Sequence, residues 1–326
     1  MTHEPIKILA IDGGGIRGIV PAIILGELER RSGQAIVDLF DLIAGSSTGG
    51  LLAMALVTPD RYRRPAYTAE ELALMYAEEG QTIFSRSMWH TFQSVGSVNR
   101  PKYPAEGMDE ILDKYFGDLM LSEALGNVLI TSYEIQTRQP WFFRSRKART
   151  SQMCNFKMRD VVRATTAAPT YFEQAQVFHP DADDFFALID GGMQANNPSL
   201  VAYVEAKDKN PDVQDFIVLS LGTGDLNRPM QFEEARQWGL AGWAQHLMGI
   251  VFDGASRTVD YQMRHLLAQT EGEQKYYRMQ TVLEGASDDM DDASHKNINA
   301  LRAMAGRMID THSDMLDRLT HQLLLR

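Results

Sequence analysis

Ile6-Lys7-Ile8-Leu9-Ala10-Ile11-Asp12-Gly13-Gly14-Gly15-Ile16-Arg17-Gly18 and, one helix later, Phe40-Asp41-Leu42-Ile43-Ala44-Gly45-Ser46-Ser47-Thr48-Gly49 decide the fold. Each is an apolar run of strand length that ends in a glycine-rich turn. Between them, Ile19 to Arg31 places Val20, Ile23, Ile24 and Leu28 on one face at helical spacing, with Pro21 in the first turn and Gly33 as a stop. Leu51 to Val57 opens a second, apolar helix. The order βαβα predicts a parallel sheet covered by helices on both faces, with ligands at the carboxyl ends of its strands. Both glycine-rich turns lie at that edge.

Farther along, Thr68 to Thr82 reads as an exposed helix with a Thr68 and Glu71 capping box. Val95 to Pro104 reads as a loop, Asn127 to Tyr133 and Gln139 to Phe143 as strands, and Met158 to Thr166 as a helix. Phe185 to Ile189 is a strand running into Asp190-Gly191-Gly192, and Asn196-Asn197-Pro198 resembles a cap followed by proline at the first helical position. Phe216 to Leu221 ends in Gly222-Thr223-Gly224. Gln231 to Leu267 is helical in pattern, followed by a short strand at Tyr276 to Gln280 and a terminal helix from about Asn297. With no internal repeat, low-complexity tract or linker, a single domain is expected over residues 1–326, its motif core at 6–224 and a more helical part at 225–326.

The net charge of -11 argues against a nucleic-acid polymer as partner, which needs a basic face to displace counterions. Cys154 is the only cysteine, so no intrachain disulfide can form, and a reducing, cytoplasmic setting is expected. No stretch approaches the length of a transmembrane span.

Gly45-Ser46-Ser47-Thr48-Gly49 fits G-x-S-x-G, a nucleophile elbow in which a sharp strand-to-helix turn exposes Ser47. Gly13 to Gly18 also fits G-x-G-x-x-G, so a nucleotide- or dinucleotide-binding protein is the rival from another class. No acidic residue ends a second strand about 20 residues on, where ribose recognition expects it, and no Gly-Lys-Ser/Thr follows. What remains is a row of unhindered amides near a helix start, suited to an oxyanion. A serine nucleophile needs a base. None of the eight histidines has a site-like setting: His3 is terminal, His90 and His179 lie in polar stretches, and the rest fall in helical patterns. Asp190 ends an apolar strand, and Gly191 and Gly192 allow close backbone approach; its other reading is an aspartate opening a tight turn.

At these residues the chain resembles the patatin-like phospholipases, lipid acyl hydrolases that work with a Ser-Asp dyad. The matching pieces are Asp12 to Gly18, Gly45 to Gly50, Ala164-Thr165-Thr166-Ala167-Ala168-Pro169-Thr170-Tyr171-Phe172, and Asp190-Gly191-Gly192 followed by Asn196-Asn197-Pro198. Ser220 to Gly224, Val259-Asp260-Tyr261 and Tyr276 to Gln280 also look like the family. Ser46 stands where threonine is frequent and Gly192 where some members have alanine; neither departure removes a reacting group. The resemblance implies a three-layer α/β fold with a central, mostly parallel sheet. It also implies Ser47 as nucleophile, Asp190 as base and the amides of Gly13, Gly14 and Gly15 as oxyanion hole. Arg17 would brace that turn, with Gly18, Gly45, Gly49, Gly191 and Gly192 in support. The expected activity is phospholipase A-type hydrolysis of membrane acyl lipids, with a carboxylesterase on soluble esters as the alternative. Neither cofactor nor metal is expected.

The acidic runs Asp181 to Asp184 and Asp288 to Asp292 lack the ligand spacing of a calcium loop and read as solvated surface. The apolar stretch from Trp238 to Phe252 could cover an acyl site or touch lipid, with core packing the expected use. Arg144, Arg146, Lys147 and Arg149, like Arg61, Arg63 and Arg64, read as an exposed hairpin tip or loop that could meet anionic head groups. Peripheral membrane contact is expected during action. Some bacterial members of the family are switched on by cyclic nucleotides, which leaves such an activator open for this chain.

Overall fold

The computed structural model describes residues 4–83, 102–104, 106–180, 183–225, 229–268 and 274–325. Most of the loop expected at Val95 to Pro104 lies outside them, as do His3, His90 and the first half of the Asp181 to Asp184 run. Strands β1 (Ile6–Ile11), β2 (Leu42–Gly45), β3 (Val128–Glu134), β7 (Phe216–Leu221) and β8 (Tyr276–Met279) form a wholly parallel set in the order β3-β2-β1-β7-β8. Antiparallel strands extend it beyond β3: β4 (Gln139–Arg144) and β6 (Phe185–Asp190) both pair with β3, and β5 (Ala175–Phe178) pairs with β6. β5 escapes the sequence reading because it is a four-residue strand at the sheet edge with alternate exposure.

Alternation along the strands divides the core in two. Leu9, Ile11, Ile43, Ile217 and Leu219 face one layer. It is built from α1 (Ile19–Ser32), α2 (Thr48–Leu56), α3 (Ala69–Ile83), α4 (Glu106–Phe116), α5 (Met158–Thr165), α8 (His295–Thr311) and α9 (Ser313–Leu324). Ile8, Leu42, Ala44, Phe216 and Val218 face the other, against α6 (Ser199–Lys209) and α7 (Leu240–Leu266). The result is the three-layer α/β sandwich expected, with helices on both faces.

Several expectations shift in detail. The Thr68 capping box forms, Thr68 N–H donating to Glu71 and Glu71 N–H to Thr68 Oγ1, but α3 is not an exposed helix: Leu72, Met75, Tyr76 and Ile83 are buried. The segment from Gln231 breaks at Gly239, whose extended backbone starts α7 anew. The terminal helix breaks at His312 into α8 and α9. Asn197 does act as a cap, its Oδ1 accepting from Ser199 N–H, but Pro198 stands one residue before the helix rather than inside it.

The topology brings the turns together. β3 pairs with β2 as far as Gly45 opposite Ile130 and then runs four residues farther. β6 pairs antiparallel with that extension, Asp190 opposite Ser132. Asp190 therefore descends on the carboxyl edge of β2 from above, while the turns after β1, β2 and β7 rise to it.

Candidate active site

Ser47 sits on a strained corner, with φ 52° and ψ -126°, a conformation that a side-chain-bearing residue holds only where its surroundings enforce it. They do so by proximity. A Cβ at Gly45 would lie 2.2 Å from Gly49 O, and one at Gly49 would lie 2.2 Å from Ile11 O, so the chain can cross itself here only with glycine on both sides. The Ser47 amide donates to Thr165 Oγ1 at 2.9 Å. Its hydroxyl donates to Asp190 Oδ2 at 2.5 Å. The neighbouring Ser46 hydroxyl is buried with no partner among the described residues.

Asp190 is fully buried and receives a second hydrogen bond from Gly192 N–H, 2.7 Å from Oδ1. Burial pushes its carboxyl up to about 7, only partly opposed by the bonds from Ser47 and Gly192. Among the described residues its hydrogen-bond partners are Ser47 and Gly192, and no histidine is one of them. The His179 ring lies against Phe186, His265 Nδ1 meets Tyr261 O and His312 Nδ1 meets Met308 O. Gly191 passes so close to Thr131 that a Cβ would lie 2.1 Å from its hydroxyl.

The Gly13 to Gly18 turn is gripped from several sides. Gly13 N–H donates to Asn196 O at 3.2 Å, and Thr223 Oγ1 donates to Gly13 O at 2.8 Å. Gly13 is thereby removed from the free donors expected of it, since its amide is already spent on the backbone. The amides of Gly14 and Gly15 have no partner among the described residues. Arg17 Nε donates to Gly14 O at 3.2 Å, which puts it under the turn. Gly15 adopts φ +61° beneath Met290, whose carbonyl accepts the Ile16 amide at 2.8 Å. Gly18 abuts Thr48 and Tyr76.

With this geometry in place, comparison with known proteins gives one answer. The Patatin-like phospholipase family model matches residues 9–203. "Patatin-like protein 4" of Arabidopsis thaliana is 32% identical over 94% of this chain and 84% of its own length. "Patatin-04/09" of Solanum tuberosum is 32% identical over 92% and 82%. The chain belongs to the patatin-like phospholipase family. A solved structure, VipD from Legionella pneumophila, aligns over 95% of this chain and 67% of that one with a TM-score of 0.47 and 11% identity.

Beside Ser47 the patatin-like fold leaves a narrow apolar slot of about 60 Å³. Ile16, Leu51, Ile83, Met108, Phe172, Phe252 and Met290 line it, and Ser47 and Asp190 stand in its wall. Met290 belongs to the Asp288 to Asp292 run, which is not the solvated run expected: Asp291 is nearly buried and accepts from Lys102 and the Tyr103 hydroxyl. Thr165, Thr223, Met290 and Arg278 are site neighbours to which sequence reasoning gave no role; three stand in family-like segments, whereas Met290 carries no local signal. Among the described residues no group of three or more His, Cys, Asp or Glu is placed to hold a metal ion, and no helix is long and apolar enough to cross a membrane.

The apolar stretch before Phe252 departs from the core-packing expectation. Phe252 is buried in the slot, but Trp243, Leu247 and Ile250 are exposed along α7 at helical spacing. No Asp, Glu, Lys or Arg occurs from Gln237 to Phe252. The basic cluster is not a hairpin tip beside this surface. Arg144 pairs opposite Leu129 at the amino end of β3 and salt-bridges Glu205 at 3.1 Å, while Arg149 holds Ala124 O and Gly126 O. It belongs to the opposite edge of the sheet from Ser47. Arg61 and Arg64 stack on Tyr62 in an exposed loop.

Proposed function

We propose that this chain is a lipid acyl hydrolase of phospholipase A type, cleaving fatty acyl esters of membrane lipids through a Ser47-Asp190 dyad. The observation that carries the reading is the 2.5 Å contact, in the wall of an apolar slot, between the Ser47 hydroxyl and a buried carboxylate that has no cation beside it among the described residues. Ser47 Oγ attacks the ester carbonyl as its proton passes to Asp190 Oδ2. The carbonyl oxygen takes the negative charge and is met by the amides of Gly14 and Gly15. Collapse expels the alcohol, which takes the proton from Asp190. A water then gives its proton to the same carboxylate as it attacks the acyl-serine, and collapse of that second adduct returns the proton from Asp190 to Ser47 Oγ and releases the fatty acid.

The apolar lining of the slot favours an acyl chain over a nucleotide base. The Gly13 to Gly18 turn also offers little to a pyrophosphate, because the amides of Gly13 and Ile16 are already engaged by Asn196 O and Met290 O. Action at a membrane surface, rather than on soluble esters, is supported by the uncharged and exposed face of α7 beside Phe252, since Trp and aliphatic side chains insert readily at a lipid boundary. We place the enzyme in the cytoplasm and read the whole chain as one domain, because β8, α8 and α9 complete the sheet and core begun by β1.

A fluorophosphonate probe followed by intact mass tests this directly. Wild type should gain one adduct and hydrolyse both phosphatidylcholine vesicles and a monomeric short-chain ester. Ser47→Ala should lose labelling and both activities while remaining folded, because the variant removes the attacking oxygen and leaves the surrounding packing in place. A joint Trp243→Ser and Leu247→Ser variant should lose about tenfold on vesicles and keep the monomeric activity. Equal labelling of Ser47→Ala refutes the dyad; equal loss on both substrates refutes the lipid-facing role of α7.

A further inference from the structure

Arg278 in β8 and Gln280 just after it stand two residues apart on extended chain and so share a side. From there both reach under the glycine turns. Arg278 Nη2 and Nη1 donate to the two oxygens of Asp12 at 2.6 and 2.9 Å, and Nη1 also donates to Ser220 Oγ at 2.9 Å. Both side chains of this pair are almost wholly buried. Gln280 Oε1 accepts the Gly224 amide at 2.8 Å, and a Cβ at Gly222 would lie 2.4 Å from its carboxamide carbon. Between Gly222 and Gly224, Thr223 holds Gly13 O and leaves no room for a Cβ at Gly14, which would lie 2.2 Å from its hydroxyl. Two struts therefore meet at Gly13 and Gly14: Arg278 through Asp12, and Gln280 through the Gly222 to Gly224 turn.

We propose that Arg278 and Gln280 are positioning residues that fix the amides of Gly14 and Gly15 where the oxyanion forms, and that Arg278 also neutralises Asp12 so that negative charge can develop beside it. The proposal rests on the dyad reading above. A bidentate guanidinium fixes the plane and position of a carboxylate in a way that a point charge does not. Donors to an oxyanion act only within a few tenths of an ångström of their productive place. Asp12 is joined directly to Gly13, so movement at its carboxylate is passed straight to the donors. An Asp12 carboxylate left without Arg278 would also set a buried, unpaired negative charge close to the oxyanion.

The test uses a monomeric short-chain ester, a trifluoromethyl ketone that adds to Ser47 as a tetrahedral oxyanion, and a short fatty acid as ground-state ligand. Arg278→Gln should lower kcat by about 10²-fold, near the loss of one oxyanion donor, and weaken the ketone in parallel. KM and fatty-acid affinity should stay within about threefold, the split that separates a transition-state effect from uniform binding. The double variant Asp12→Asn with Arg278→Gln, which keeps the shape without either charge, should recover about tenfold of that loss. Gln280→Met should cost about tenfold in kcat with the same split, and it decides the matter if Arg278→Gln does not fold. A folded variant with wild-type kcat, or equal weakening of ketone and fatty acid, overturns the proposal alone. Absence of Ser47 labelling in wild type overturns the dyad reading and this proposal with it.

Discussion

Two buried aspartates at one edge of the sheet carry opposite arrangements. Asp12, at the end of β1, faces the fork of Arg278; Asp190, at the end of β6, faces a serine hydroxyl and one backbone amide. Burial raises both carboxyls, but at Asp12 the Arg278 guanidinium opposes it with a full charge, whereas at Asp190 only two neutral donors do. The difference teaches where the chemistry can be. A carboxylate locked to a guanidinium is a fixture of the scaffold, and one buried without a cation is poised to take a proton near neutrality. Ser47 is directed at the second.

The comparison is most exposed to failure at Asp190 itself. Asp190→Asn keeps the size and can still accept from Ser47, but it cannot take the proton, so the monomeric ester activity should fall by about 10² to 10⁴-fold. His179→Ala should leave it within about twofold, because the His179 ring lies on Phe186 while Asp190 receives its hydrogen bonds from Ser47 and Gly192. Steady-state kinetics on both variants decides it. If His179→Ala were as inactive as Asp190→Asn while still folded, Asp190 would become the group that orients a histidine base.

The pH profile sharpens the same contrast with a smaller effect. As the proposed base, Asp190 must be ionised to act, and its carboxyl stands at about 7 rather than 3.8. The logarithm of kcat/KM should therefore rise with unit slope up to about pH 7 and then level, about tenfold lost per pH unit on the acid side. This limb lies in the usual histidine range, so its position alone cannot tell the bases apart; its persistence in His179→Ala can. A limb near pH 4 would mean that Asp190 is far better solvated than its burial allows.

Much of this edge was legible in the chain, for a physical reason. A sharp elbow and a tightly gripped glycine turn demand small residues at fixed spacing, so Gly45, Ser47, Gly49 and the Gly13 to Gly15 run leave a local mark. Asp190 was findable because a strand running into Asp-Gly-Gly is local as well. Partnerships across the fold were not: that Asn196 would occupy the Gly13 amide, Met290 would cover Gly15 and Arg278 would claim Asp12 depends on β6, β7 and β8 arriving at the same edge. The exposure of α7 was hidden for a similar reason, since an apolar helix reads alike whether its stripe meets the core or open surface.

The smallest expected effect concerns stability, and it runs against activity. Between about pH 4 and pH 7 the folded chain holds a proton on Asp190 that the unfolded chain has released, so this group's contribution to stability falls as pH rises through that window. Above pH 7 the folded state carries a buried carboxylate at its full penalty, of order a few kcal/mol. Asp190→Asn removes the charge and keeps the hydrogen-bonding shape. It should therefore unfold about 5 °C higher than wild type at pH 8, and by a clearly smaller margin at pH 5, where wild type has already taken up the proton. Arg278→Gln should move the other way at pH 8, because it strips the cation from Asp12 and leaves that carboxylate in the condition of Asp190. Thermal unfolding of the three proteins at the two pH values measures both signs. An Asp190→Asn midpoint at or below wild type at pH 8 would show that the carboxylate is already compensated, and the contrast between the two aspartates would be lost.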